Sequence, residues 1–172
     1  MLIRYDTRTL TLDDIPLDIG YASEKVDLKN GAGELFRIGG QNGGTQLLIS
    51  LPFIDESLMG QLRELDSLLY INALGGITKA LIVATEKCDM PVMEEWLAGY
   101  DYDEAFGDYY GVRLSEGELG GEFAKALFVI SKDGAVFYNE VLSDLNEPFS
   151  LDKVLLKIAA AQSCYTGKGC HG

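Results

Sequence analysis

The sequence has few residues of several types on which common functional sites depend. It contains one histidine, His171, and 14 Lys and Arg residues against 27 Asp and Glu, which gives a formal net charge of -13. A field of that sign repels phosphate backbones and anionic lipid headgroups, so we expect neither nucleic-acid nor membrane-surface binding. Because the single histidine lies at the end of the chain, the folded body lacks the Ser/His/Asp and Cys/His sets that hydrolases use.

Long apolar runs and paired cysteines are also scarce. The longest apolar candidate, Leu47 to Ile54, is interrupted and falls short of the roughly 18 residues that indicate a membrane span. The first residues lack the pattern of a secretory signal, so we expect a cytoplasmic protein. Three cysteines are an odd number, and a core of this size needs no disulfide framework. Any role of the thiols should therefore be local chemistry.

The rest of the composition is that of one folded domain. The chain has 172 residues, of which 47% are apolar and 24% charged, as in soluble globular proteins. Two short β-rich runs, Leu2 to Tyr5 and Thr9 to Leu12, predict an N-terminal hairpin. Recurring glycine and polar residues from Gly20 to Gly44 predict turns and short edge pieces.

A strand, a helix and a second strand follow the N-terminal region. Gln46 to Pro52 is a nearly continuous apolar run of strand length, and Lys79 to Thr85 is another. Between them, leucines at spacings of three and four from Leu58 predict an amphipathic helix to about Leu74. The three elements form a βαβ unit, whose crossover should be right-handed.

The second half of the chain mixes helical segments with a hairpin. Pro91 suits the first turn of a short helix that reaches Leu97, and Asp103 to Tyr110 predicts another helical segment. Apolar runs around Lys132 to Gly134 predict an antiparallel hairpin, and a last helix should cover Leu151 to Ala161. This order predicts an α/β, thioredoxin-like fold, with a central mixed sheet that carries helices on both faces.

Three stretches of the sequence match one family. They are Pro52 to Met59, Phe106 to Val112, and Glu116 through Ile130 to Leu142. Together they resemble the bacterial thiol peroxidases of the peroxiredoxin superfamily, over roughly residues 1 to 160. The resemblance implies the peroxiredoxin version of the thioredoxin-like fold, with the N-terminal β-hairpin that this subfamily adds, and a homodimer.

The resemblance also implies a changed active-site motif. In the family, Pro, two residues, Asp-Thr and two more residues precede the peroxidatic cysteine in the first turns of a helix. Here Pro52 and Asp55 are kept, while the Thr position is Glu56 and the cysteine position is Met59. A thioether has no ionisable proton, so Met59 cannot supply the thiolate that attacks a peroxide. It either fills the former pocket or serves as a redox sensor.

Two further family positions carry different residues. The resolving cysteine falls on Ala98 when the Pro91 helix is matched, and the pocket arginine falls on Lys125. A lysine lacks the forked geometry with which an arginine holds a thiolate and a peroxide oxygen. Glu56 and Lys125 either form a salt bridge across the vacated pocket or bind a small polar ligand.

The C-terminus lies outside the resemblance. We expect one thioredoxin-like domain over residues 1–162 and a tail rich in glycine and cysteine over residues 163–172. Cys164 and Cys170 are exposed thiols of a disordered tail, a disulfide, or soft-metal ligands with His171. Cys88 follows the second buried strand and is expected to be a loop thiol that exchanges with the tail only if the tail folds back.

Two functions remain open from the sequence. The first is a thiol-peroxidase-like protein that has lost the peroxide-reducing centre and works by binding or as a scaffold. The alternative is a divergent thiol-dependent oxidoreductase that uses Cys164 and Cys170 and draws electrons from a thioredoxin-type partner. We expect no cofactor and no metal for either function.

Overall fold

The computed structural model describes residues 1–87, 90 and 93–164. In this part of the chain nine strands and three helices follow one another: β1 (Leu2–Tyr5), β2 (Arg8–Thr11), β3 (Val26–Lys29), β4 (Leu35–Ile38), β5 (Gln46–Ser50), α1 (Glu56–Ile71), β6 (Thr78–Val83), β7 (Leu97–Tyr100), α2 (Ala105–Tyr110), β8 (Ala126–Ile130), β9 (Val136–Val141) and α3 (Leu151–Ser163). None of the described helices is long and apolar enough to cross a membrane.

Seven strands form a mixed central sheet in the order β4-β3-β7-β6-β5-β8-β9. Strands β5, β6 and β7 run parallel, β8 is antiparallel to β5, and β9 is antiparallel to β8. The carboxyl ends of β5, β6 and β7 therefore lie at the same edge of the sheet as the start of β8 and the end of β9. We call this edge the upper edge. The predicted α/β, thioredoxin-like architecture is confirmed.

Alternating side chains of the central strands build two apolar layers on opposite faces. In β5, Leu47 and Ile49 join one cluster, while Leu48 joins the other. The first cluster also takes the apolar stripes of α1 and α3, and the second takes Phe106 and Tyr110 of α2. Every residue of β5 is buried, because helices or loops cover both faces of this strand.

The predicted N-terminal hairpin is formed by β1 and β2 as a separate two-stranded sheet. Ile3 and Leu10 pack with Leu145 in a third apolar cluster. The Arg4 backbone N–H donates to the Ser143 carbonyl at 2.7 Å, and the Leu145 N–H donates to the Arg4 carbonyl at 2.9 Å. The hairpin therefore holds the segment between β9 and α3 against the upper edge of the sheet.

The helix predicted from Pro91 to Leu97 is wrong at its C-terminal end. Leu97 begins the strand β7, in which Ala98 pairs with Leu81 and Gly99 with Ile82 of β6. Pro91 itself lies outside the described residues. A proline signals only where a helix can start, and pairing with an exposed edge of β6 outweighed the local preference of the following residues.

Candidate functional site

The segment after β5 turns into α1 through a carboxylate cap. Asp55 is the N-cap residue, and its side chain accepts a hydrogen bond from the Leu58 backbone N–H at 2.8 Å. The Met59 N–H donates to the Asp55 carbonyl at 3.0 Å, as the first bond of the helix. A carboxylate suits the positive end of a helix. The start of α1 therefore already holds a negative charge supplied by the chain itself.

Lys125 is buried beside this helix start, immediately before β8, with 3% of its surface exposed. Its Nζ donates to the Gln61 Oε1 at 3.0 Å and to the Glu147 carbonyl at 2.6 Å. The Phe149 ring lies 5.3 Å from the nitrogen. Burial lowers the pKa of Lys125, and the Asp55 charge opposes that change only in part.

The ion pair between Glu56 and Lys125 that the sequence suggested is not formed. Lys125 bonds to Gln61 instead, and none of the salt bridges among the described residues includes Lys125. Positions 56 and 61 lie about 140° apart around a helix, so the two side chains point in different directions. Glu56 is exposed to solvent.

Pro52 and Lys125 line a small cavity of about 70 Å³ together with Asp55, Leu58 and Gln61. Phe53, Ser57, Leu145 and Asn146 complete its wall. Leu58 and Gln61 share one face of α1, because residues three apart are neighbours on a helix. We call this space the Lys125 cavity.

Met59 lies on another face of α1. Its half-buried side chain lines a separate open depression with Glu56 and Arg63, and Asp55 is the residue that borders both spaces. The described structure thus brings Pro52 and Lys125 together, as the motif predicts, while Met59 lines a different space. The interpretation of Met59 as an apolar residue that fills the former pocket stays a prediction, and its side chain packs against the apolar cluster under α1.

Ala98 is not brought to this site. It lies in β7, which is separated from β5 by β6, and it packs half-buried against the apolar cluster under α1. The Pro91 helix that served to match Ala98 does not reach this position as predicted, because Leu97 already begins β7. The pairing of Ala98 with Leu81 of β6 fixes its backbone in the sheet.

Cys164 is the cysteine that falls within the described residues. It caps the C-terminus of α3, is 9% exposed, and is disulfide-bonded. Its position is therefore part of the folded body and not that of an exposed tail thiol. Cys88 and Cys170 lie outside the described residues.

Cys164 lies far from the Lys125 cavity. Lys132, in the turn between β8 and β9, donates through Nζ to the Gln162 carbonyl at 3.0 Å, so α3 ends near that turn. Lys125 precedes the other end of β8, and the five residues of this strand span about 17 Å. The sulfur of Cys164 therefore does not replace the missing thiol at the start of α1.

Two features of the site were not found from the sequence. Gln61 lies three residues after Leu58, and this spacing could have indicated that it faces the cavity. The Glu147 carbonyl left no sequence signal, because any residue supplies the same backbone oxygen. In the described part of the chain, no three His, Cys, Asp or Glu side chains converge as metal ligands.

The chain is similar to known proteins over its whole length. It is 27% identical to a thiol peroxidase of Campylobacter jejuni across 99% of both chains. A thiol peroxidase of Helicobacter pylori is 25% identical across 89% of this chain and 96% of the relative. No family model matches the chain.

Solved structures share the fold at lower identity. A peroxiredoxin-like protein from Aquifex aeolicus superposes with a TM-score of 0.80 at 20% identity, over 92% of this chain and 95% of the other. A thiol peroxidase from Chromobacterium violaceum gives a TM-score of 0.77 at 16% identity over the same shares. With the N-terminal hairpin, the mixed sheet and the full-length sequence similarity taken together, this chain is similar to bacterial thiol peroxidases and shares the fold of peroxiredoxin-like structures.

Proposed function

We propose that this chain is a thiol peroxidase family member that has lost the peroxide-reducing centre and works by binding at the upper edge of its sheet. One observation carries the proposal: Met59 stands in α1 where the family motif has the peroxidatic cysteine. The established reaction opens with a thiolate that attacks a peroxide oxygen and becomes a sulfenic acid. A thioether sulfur has no proton to lose and cannot condense with a resolving thiol.

The surroundings of the cavity support the same proposal. Lys125 donates hydrogen bonds to Gln61 and to the Glu147 carbonyl. It therefore offers no forked pair of donors to a thiolate and a peroxide. Met59 shares its depression with Glu56 and Arg63, whose charges act in opposite directions on the pKa of a thiol placed there. We further propose that the protein works in the cytoplasm as a homodimer, the assembly that the family resemblance implies.

A peroxide assay tests the loss of the reducing centre. With hydrogen peroxide and dithiothreitol, the wild-type protein should consume peroxide no faster than buffer. The Met59→Cys variant should stay within about tenfold of that background, because Glu56 and Arg63 exert opposite effects on the new thiol and the Lys125 cavity lies on another helix face.

Met59→Ser is the matched control, since it makes a similar change in size without adding a thiol. Thermal unfolding of both variants should confirm that they fold like the wild type. Fast peroxide consumption by the wild type would refute the proposal, and fast consumption by Met59→Cys would refute the part of it that concerns the surroundings.

The disulfide at Cys164 favours a second candidate function. We propose that its partner is Cys170 and that the pair is a dithiol, which takes up two electrons and two protons on reduction by a thioredoxin-type protein. We prefer Cys170 to Cys88 as the partner because of where the described elements end. The strand β6, which ends five residues before Cys88, finishes at the upper edge, whereas α3, which leads into Cys164, ends at the opposite edge. Cys170 follows Cys164 by six residues.

Peptide mapping tests this pairing directly. Trypsin cuts after Lys168, between the two cysteines, so Ile158–Lys168 and Gly169–Gly172 stay joined only through a disulfide. The joined peptide should appear after mild oxidation and disappear when thioredoxin and its reductase are added. Cys88→Ser should leave the joined peptide intact and Cys164→Ser should abolish it. Free alkylation of both thiols in the presence of oxidant would refute the dithiol.

A further inference from the structure

Two lysines of this chain are buried to nearly the same extent but have different partners. The Lys79 side chain is 5% exposed and its Nζ lies 3.1 Å from the Asp66 carboxylate, over the Trp96 ring. Lys125 is 3% exposed, and both of its hydrogen-bond acceptors are neutral. A buried ammonium is stable when a carboxylate compensates its charge, and it favours the neutral amine when nothing does.

The hydrogen bonds of Lys125 fit a neutral amine. An ammonium has three N–H donors, whereas an amine has two donors and a lone pair. Gln61 and Glu147 supply two acceptors, which match the two N–H donors of an amine. Lys125 also lines the cavity, so a ligand that enters there meets this side chain.

The charges that face Lys125 are few. The segment before α1 contributes Asp55, whose charge raises the pKa of the lysine, and α1 itself contributes the neutral Gln61. The segment after β9 contributes the Glu147 carbonyl and the Phe149 ring, while the Glu147 side chain belongs to an exposed residue. Burial is the larger effect, and the pKa of Lys125 is lowered on balance.

The size of the cavity limits its ligand. With a volume of about 70 Å³ the cavity is small, so it suits a small molecule. Pro52 and Leu145 give the wall an apolar part, and Asn146 and Ser57 give it polar groups. We propose that Lys125 is a nucleophilic amine and that the cavity takes a small aldehyde, which Lys125 binds as a reversible imine.

The reaction is balanced without an oxidant or a reductant. The Nζ lone pair forms a bond to the carbonyl carbon, and the carbonyl oxygen takes a proton that the nitrogen releases, which gives a carbinolamine. The C–O bond then breaks, the nitrogen loses its second hydrogen, and the oxygen leaves as water while the C=N bond forms. Addition of water reverses both steps. This inference rests on the proposed function in that a cavity used for binding is free to take a ligand other than a peroxide.

Reductive trapping tests the inference on the full-length protein. Acetaldehyde and sodium cyanoborohydride are added at pH 7, where hydride from cyanoborohydride converts each imine into an ethylated lysine, and peptide mass spectrometry gives the rate at each lysine. We expect Lys125 to react at least about tenfold faster than the equally buried Lys79, and its rate to level off at a pH below the ordinary lysine pKa. Benzaldehyde, which is bulkier than acetaldehyde, should favour exposed lysines over Lys125 more strongly than acetaldehyde does.

Gln61→Glu is the matched variant, because it keeps an acceptor at nearly the same place and gives Lys125 an anionic partner. Thermal unfolding should show that this variant folds, while its trapping rate at Lys125 should fall about tenfold or more at pH 7. Equal rates at Lys125 and Lys79, or no effect of Gln61→Glu, would overturn the inference. Peroxide consumption is measured separately on the same protein, so its outcome bears on the proposed function and not on the imine.

Discussion

Replacing Gly99 by alanine is expected to destabilise the folded chain by about 3 kcal/mol. A Cβ at this position would lie 2.5 Å from the Lys29 carbonyl oxygen and 2.6 Å from the Phe36 ring. Lys29 pairs with Tyr100 where β3 meets β7, so the backbone cannot move away without loosening the β3–β4 hairpin from the sheet. Urea unfolding followed by circular dichroism measures the change.

Gly60→Ala is the control with the same chemical change. Gly60 is exposed in α1, and a Cβ there would meet nothing within 4 Å. Alanine is the better helix former, so this variant should gain about 0.5–1 kcal/mol. If both variants changed the free energy of unfolding by similar amounts, the close approach of β3 at Gly99 would be refuted.

Replacing Asp66 by alanine should lower the free energy of unfolding by about 3 kcal/mol. The change leaves the Lys79 ammonium buried without a counter-charge and removes the acceptor of the Trp96 indole N–H, which lies 2.7 Å from the Asp66 Oδ1. The Asp66 side chain is 38% exposed, so water that enters will compensate part of the loss. Urea unfolding at pH 7 gives the value.

Two further variants separate the causes of this loss. Lys79→Met combined with Asp66→Ala removes both charges and should recover most of the stability, because no buried ion remains without a partner. Asp27→Ala breaks the exposed contact with Arg37 and should change stability far less. A double variant as unstable as Asp66→Ala alone would show that the buried charge is not the cause.

The features of the site that could be predicted are those whose geometry depends on a single short segment of the chain. Pro52, Asp55 and Met59 belong to one strand-to-helix turn, and the capping of α1 by Asp55 follows from local preferences. The start of β8 directly after Lys125 follows from the apolar run over this strand. These features depend on residues close in sequence, so the sequence predicts them.

The partners of Lys125 could not be predicted in the same way. Gln61 lies 64 residues away and Glu147 lies 22 residues away. A salt bridge between Lys125 and Glu56 was expected from their opposite charges. Lys125 bonds to Gln61 instead, because positions 56 and 61 point in different directions on α1. The same applies to Ala98, whose strand forms only because β6 offers an unpaired edge.

The sequence by itself determined the order of most strands and helices and the thioredoxin-like fold class, because hydrophobic periodicity and turn residues act over short distances. It also determined that the start of α1 carries no thiol. Only the tertiary structure decided that β7 joins the sheet, that Met59 and Lys125 face different spaces, and that Lys125 has neutral partners. Such contacts join distant segments, and they depend on how the elements pack as well as on what each element prefers.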